Sequence, residues 1–205
     1  MEIFTSHTGV AAPLRISNID TDQLVPGRFA VLVTKDGYGD AMMHDWRADP
    51  DFVLNQPAYR DATILIADEN FGTGSSREMA VWALQGYGIK AVIAPRFGDI
   101  FRGNSLQNGL LTIELDRSVV ELLWASVEAR PGIPVTADLV HREVRVGDRA
   151  YPFEFDDDAR RRLLEGLDDI SLTLERIADI RAYEAARRCT LPTTRRAERA
   201  EPSRA

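Results

Sequence analysis

The run Ala62-Thr63-Ile64-Leu65-Ile66-Ala67 is continuous, apolar and β-branched, with no regular polar alternation. A strand with one wet face alternates, so this run predicts a strand covered on both faces. The Gly-rich turn Asn70-Phe71-Gly72-Thr73-Gly74 follows it. Ser75 to Gln85 then has apolar residues at 79, 81, 82 and 84, and Ala91-Val92-Ile93-Ala94 stops at Pro95. The spacing predicts a helix that starts at Ser75 and is ended by Gly86 and Gly88, set between two strands. Such a βαβ unit implies a right-handed crossover and a parallel sheet.

Beyond the unit, Gly98 to Asn108 predicts a short helix, Leu110 to Leu115 a further strand, and Ser118 to Ala129 a helix that stops before Pro131. From Val135 to Phe155 the pattern changes to short alternating pieces, as in antiparallel strands, and residues 157 to 188 return to helical spacing with a break at Gly166 to Asp169. The first third is rich in turn formers: Pro13, Asn18, Asp20, Asp22, Pro26 and Gly27. Lys35 to Asp40 reads as an exposed loop with two flexible glycines, and residues 41 to 56 as short helices broken before Pro50 and Pro57. The fold class is α/β, a parallel βαβ core with an added antiparallel β section.

Composition bounds the function. The 205 residues suit one domain of ordinary size, mean hydropathy is −0.22, and the longest apolar runs fall far short of the roughly 18 residues of a membrane helix. The N-terminus lacks the basic and apolar regions of a secretory signal, so the expected location is cytoplasmic. One cysteine, Cys189, excludes an internal disulfide. It also excludes an iron–sulfur cluster or zinc site held by this chain's own thiolates, since such sites need several. No His/Asp/Glu spacing suggests metal ligands, and His7, His44 and His141 are scattered.

The charge of −7 is uneven. Residues 187–205 carry six arginines and two glutamates, a net +4, which leaves −11 on residues 1–186. An acidic body and a tail without aromatic residues argue against nucleic-acid binding. The boundary is drawn between a domain of residues 1–188 and a basic, disordered tail of residues 189–205.

Phe71-Gly72-Thr73-Gly74-Ser75-Ser76-Arg77-Glu78 is the segment best suited to bind a ligand. It lies between the carboxyl end of a parallel strand and a helix start, where open α/β sheets place ligands. Unpaired N–H groups at a helix start favour an anion, Gly72 and Gly74 let it approach the main chain, and Arg77 offers a fork for a carboxylate or phosphate. Ser75-x-x-Glu78 also fits a capping box with only a structural role. The two readings are compatible, and both stay open. The third glycine of a dinucleotide fingerprint, a P-loop and Gly-x-Ser-x-Gly are all absent.

Asn18-Ile19-Asp20-Thr21-Asp22-Gln23, Gly74-Ser75-Ser76-Arg77-Glu78, Phe97 to Asn104 with Gly109-Leu110-Leu111, and Gly166 to Ile170 together resemble the small subunits of 3-isopropylmalate dehydratase. The resemblance spans about residues 1–188, in the family's order. It implies a fold like the swivelling β/β/α domain of aconitase. It also implies an activity, the interconversion of 2- and 3-isopropylmalate by dehydration and rehydration through isopropylmaleate in leucine biosynthesis. A large subunit is then the expected partner, carrying a [4Fe–4S] cluster whose open iron takes the leaving hydroxyl, while this chain binds no cofactor.

By that resemblance Ser75 matches the serine that removes the substrate proton as an alkoxide, and Ser76 and Arg77, beside Gly74, match residues that bind substrate carboxylate. Arg15 is a second candidate carboxylate contact. The loop that reads the substrate's distinguishing group would span Ala30 to Gly39, with Val31, Leu32, Val33 and Lys35. The three apolar residues there either meet an isopropyl group or pack in the core. Met79 stands where the family usually has His, which suggests altered packing rather than lost catalysis. The alternatives are the small subunit of a related hydro-lyase acting on homoaconitate, citraconate or another malate derivative, and a stand-alone regulatory module that binds a small anion.

Overall fold

Four strands run in one parallel ladder: β1 (Ser6–Leu14), β2 (Ile64–Ala67), β3 (Ala91–Ala94) and β4 (Leu111–Glu114). Ala11 stands opposite Ile64, Ile64 opposite Ala91, and Ala91 opposite Leu111. On its other side β1 pairs antiparallel with β5 (Pro134–Asp138), which continues into β6 (Glu143–Val146) and β7 (Arg149–Pro152). The computed structural model describes residues 1–31 and 34–188, and its seven-stranded sheet has the order β4-β3-β2-β1-β5-β6-β7.

Burial explains why the middle strands do not alternate. Leu65, Ala67, Val92 and Ala94 face one apolar cluster, built with α1 (Thr21–Leu24), α2 (Tyr38–Ala41), α3 (Met79–Tyr87) and α4 (Asp99–Asn108). Ile64, Ile66, Ala91 and Ile93 face a second cluster, built with α5 (Arg117–Ala129), α6 (Asp157–Glu165) and the antiparallel strands. Both faces of β2 and β3 are therefore dry, and every residue in them is buried. By contact the chain divides into Met1–Asp168 and Asp169–Ala205. The second unit contains α7 (Asp169–Leu174) and α8 (Ile177–Ala186). The tail 189–205 and its expected disorder lie outside the described residues. Among the described residues no helix is long and apolar enough to cross a membrane.

Four local expectations are corrected. The sequence pattern shows β1 only as punctuated apolar pieces, yet it is the strand on which the parallel and antiparallel halves meet; Pro13 sits inside it, opposite Ile66. The third helix starts at Met79 rather than Ser75. Gly86 does not end that helix: it lies inside it, and only Gly88, at φ 111°, terminates it. The loop expected over Lys35 to Asp40 ends early, because Tyr38–Ala41 is helical with Tyr38 and Ala41 buried. One contact explains the last two corrections. The backbones of Gly39 and Gly86 touch so closely that a Cβ on Gly39 would come within 2.5 Å of the Gly86 carbonyl.

Candidate active site

The turn after β2 is zipped to the segment after β1. Asn18 and Asn70 both adopt the left-handed conformation that asparagine tolerates, and the Asn70 Nδ2 donates to Asn18 Oδ1 at 2.8 Å. The Ile19 carbonyl accepts from the N–H groups of Gly72 at 2.7 Å and Thr73 at 3.1 Å, and the Thr21 N–H donates to the Thr73 carbonyl at 3.0 Å. The start of α4 lies behind this pair. The Gly98 N–H donates to the Phe71 carbonyl, and a Cβ on Gly98 would meet the Gly72 oxygen at 2.6 Å. Gly72, at φ 77°, has the Phe101 ring where a side chain would stand. Here the glycines serve close packing of three backbone segments as well as ligand approach.

This zipper carries Ser75, Ser76 and Arg77 off the end of α3. The Ser75 N–H donates to Thr21 Oγ1 at 3.2 Å, and Thr21 is buried. Arg77 Nη1 pairs with Asp22, and Asn104 Nδ2 reaches the Ser76 carbonyl at 3.4 Å. The capping box that Ser75 and Glu78 also fit in sequence does not form. Glu78 itself precedes the first helical residue without a side-chain cap, and its Oε1 accepts from Asn108 Nδ2 at 2.6 Å. The first-turn N–H groups of Ala80 and Val81 close on the carbonyls of Arg77 and Glu78. The helix start thus lies four residues beyond Ser75, and the positive side chain that the turn itself carries is Arg77, paired with Asp22.

A capping box does form at Asp20 and Gln23: Asp20 Oδ1 accepts from the Gln23 N–H and Gln23 Oε1 from the Asp20 N–H, both at 2.8 Å. The sequence carries the signal, an Asp followed three residues later by Gln, and it places the preceding Asn18–Ile19 against the turn. Thr21, Asp22, Asn104 and Asn108 are the residues that sequence reasoning did not assign to the site.

The other candidates separate. Arg15, just after β1, makes a two-pronged pair with Glu128 of α5, both bonds at 2.7 Å, and lies over the Trp124 ring. The Arg15 hydrogen bond holds the Glu128 carboxyl below its ordinary range. Arg15 is engaged there rather than beside Ser75. Val31 is 79% exposed, which removes core packing as its role, and Leu32 and Val33 lie outside the described residues. Lys35 reaches Asn108 Oδ1 at 3.0 Å, with its ammonium 5.1 Å from the Trp82 ring centre. Met79 packs, half-buried, against the first apolar cluster.

Gly74, Ser75 and Ser76 are exposed, and Ser75 Oγ makes no hydrogen bond among the described residues. Clefts of about 510 and 670 Å³ flank α4, and residues 71–78 line neither. The turn stands on an open surface at the carboxyl ends of the parallel strands. Among the described residues no group of three or more His, Cys, Asp or Glu is placed to hold a metal, so these side chains do not fit an iron–sulfur cluster.

A family model described as the aconitase C-terminal domain matches residues 1–118, and one for the C-terminal domain of the 3-isopropylmalate dehydratase small subunit matches residues 169–197. The 3-isopropylmalate dehydratase small subunit of Thermobifida fusca is 59% identical over 194 residues, covering 95% of this chain and all of that one. The chain belongs to the family of 3-isopropylmalate dehydratase small subunits. The Streptomyces griseus member is 58% identical over 194 residues, 95% of this chain and 98% of its own. A crystal structure of 3-isopropylmalate dehydratase from Methanocaldococcus jannaschii matches with a TM-score of 0.63 at 27% identity, covering 87% of this chain and 99% of that one. The swivel-domain fold expected of the family is the one observed, with parallel and antiparallel strands in a single sheet.

Proposed function

We propose that this chain is the small half of a hydro-lyase that interconverts 2- and 3-isopropylmalate through isopropylmaleate, with Ser75 exchanging the substrate proton and Ser76 and Arg77 binding a substrate carboxylate. The observation that carries the reading is the convergence of three family segments on one exposed turn: Thr21 and Asp22 from the first, Ser75 to Glu78 from the second, Asn104 from the third. Arg77, two residues on in the same turn, supplies a positive charge that favours both a bound carboxylate and the deprotonated hydroxyl. An exposed hydroxyl in bulk water is a poor base, so the turn needs a cover that excludes water and strengthens that field. A large iron–sulfur subunit is the proposed cover. The metal chemistry is assigned to that partner.

Co-expression with the large subunit and an isopropylmalate assay test the reading, with homoaconitate and citraconate as competing substrates. Ser75→Ala is expected to lower turnover at least about 10²-fold, a typical loss for a positioned acid–base group, with assembly intact. Near-wild-type turnover would remove the serine from the mechanism. A stable small chain that binds a small anion but no iron–sulfur partner would support the regulatory-module alternative instead.

A further inference from the structure

Asn108, the last residue of α4, uses its whole side-chain amide. Its Nδ2 donates to Glu78 Oε1 at 2.6 Å and to the Asn104 carbonyl at 2.9 Å. Its Oδ1 accepts from Trp82 Nε1 and from Lys35 Nζ, both at 3.0 Å. Its main-chain carbonyl accepts from Gln85 Nε2 at 2.7 Å. The orientation of the amide follows from its partners: indole and ammonium only donate and a carboxylate only accepts, so neither end can be exchanged. The side chain is not needed to end the helix, since Gly109, at φ 80°, does that through its own N–H. Lys35 belongs to the Ala30–Gly39 segment, Glu78 adjoins Arg77, and Asn104, one turn earlier on the same face of α4, touches the Ser76 carbonyl.

We propose that Asn108 is a positioning residue that ties the Lys35 segment to the Ser75–Glu78 turn, so that the segment facing the substrate's distinguishing group also sets where Ser75, Ser76 and Arg77 stand. The inference rests on two readings: of that turn as the catalytic one, and of the segment around Lys35 as the one that meets the substrate's distinguishing group. A displacement of Lys35 or Trp82 moves the Asn108 oxygen, and the same planar amide carries the movement to the Glu78 carboxylate. Asn108, Trp82 and Glu78 are assigned no contact with substrate. The link's effect on rate comes from the placement of the groups that make such contact, and an error of about 1 Å there costs up to about 10²-fold.

The test uses the full-length chain assembled with the large subunit. Asn108→Asp keeps the acceptor for Lys35 and Trp82 but sets a second carboxylate against Glu78. It is expected to lower kcat about tenfold or more, with KM changed far less, in a complex that still assembles. Adding Glu78→Gln returns a donor to the pair with reversed polarity and is expected to raise kcat at least about threefold over Asn108→Asp alone. A merely structural role would change the melting temperature or the yield of complex, without this recovery of kcat per assembled enzyme. Lys35 is exposed, so Lys35→Met leaves the fold intact; it is expected to shift the kcat/KM ratio between isopropylmalate and citraconate at least about fivefold. Wild-type kcat in Asn108→Asp, no recovery on adding Glu78→Gln, or an unchanged substrate ratio in Lys35→Met each overturns the proposal. If Asn108→Asp does not fold, Glu78→Ala, which removes the carboxylate that Asn108 Nδ2 meets, is expected to lower kcat about tenfold in a complex that still assembles, and wild-type kcat there overturns the proposal. Failure of the underlying reading looks different: a wild-type pair without isopropylmalate turnover, or full turnover in Ser75→Ala.

Discussion

The guanidinium of Arg77 gives Nη1 to Asp22 and leaves Nε and Nη2 without a partner among the described residues. Asp22 therefore aims the fork without filling it, and the free edge can meet a carboxylate. Arg77→Lys retains the charge and can still pair with Asp22, but a point charge cannot make two parallel bonds. Hydrogen bonds to charged groups contribute about 1.5–3 kcal/mol, so kcat/KM is expected to fall about tenfold to a hundredfold, with most of the change in KM. Steady-state kinetics on the assembled pair measures this, and unchanged constants remove the contact. A second residue sets a pH dependence. Burial raises the Asp138 pKa, but hydrogen bonds from the His141 N–H and ring, with Arg145 at 3.3 Å, outweigh it and hold the carboxyl below its ordinary value. A depressed carboxyl stabilises the fold at neutral pH and loses that contribution as pH falls through the native value, below about pH 4. Urea midpoints of wild type and Asp138→Asn are expected to differ at pH 7 and converge on acidification; parallel curves would show that the ionised carboxyl contributes nothing.

At the scale of elements, what is legible in the sequence is what a local pattern determines. β2, β3 and β4 are continuous apolar runs, and α5 has an unbroken stripe before Pro131, so the pattern places each within about two residues. The departures come from contacts distant in sequence. β1 carries Gly9 and Pro13, which read locally as turn signals. Gly9 is required because a Cβ there would overlap the Thr63 hydroxyl, which pairs with His7 across a sequence separation of 56 residues. The start of α3 is displaced because Thr21 and Asp22, more than 50 residues earlier, bond Ser75 and Arg77 ahead of the first helical residue. The candidate site is legible as a segment; its braces on α1 and α4 are not, since no periodicity records them. The Gly39–Gly86 contact is the sharpest element-scale test. Alanine favours a helix by about 1 kcal/mol over glycine, so on propensity alone Gly39→Ala would stabilise α2. With the Gly86 carbonyl in the way, overpacking is expected to win and cost about 1–3 kcal/mol, read as a lower urea midpoint. A higher midpoint would show that α2 can shift off α3 at little cost.

For the whole molecule, the sheet has one organising strand. β1 joins the parallel ladder, whose carboxyl ends carry the Ser75 turn, to the antiparallel section that supplies the second core. Among the described residues, both apolar clusters draw all their members from residues 1–164. The chain's own start fastens the end of that unit: the N-terminal ammonium donates to the Gly166 carbonyl at 3.0 Å, and the Phe4 N–H to the Leu163 carbonyl at 2.9 Å. Gly166, at φ 70°, ends α6 and accepts this contact where a side chain would collide with the Met1 carbonyl at 2.8 Å. Each closure is complete before Asp169. A chain stopped after Asp168 is therefore expected to unfold in one cooperative transition, with a melting temperature within about 4 °C of the full chain, the shift that ~1 kcal/mol produces at this size. Calorimetry of the two chains decides it. A broad or missing transition would mean that the second unit, matched by its own family model, contributes to the stability of the first.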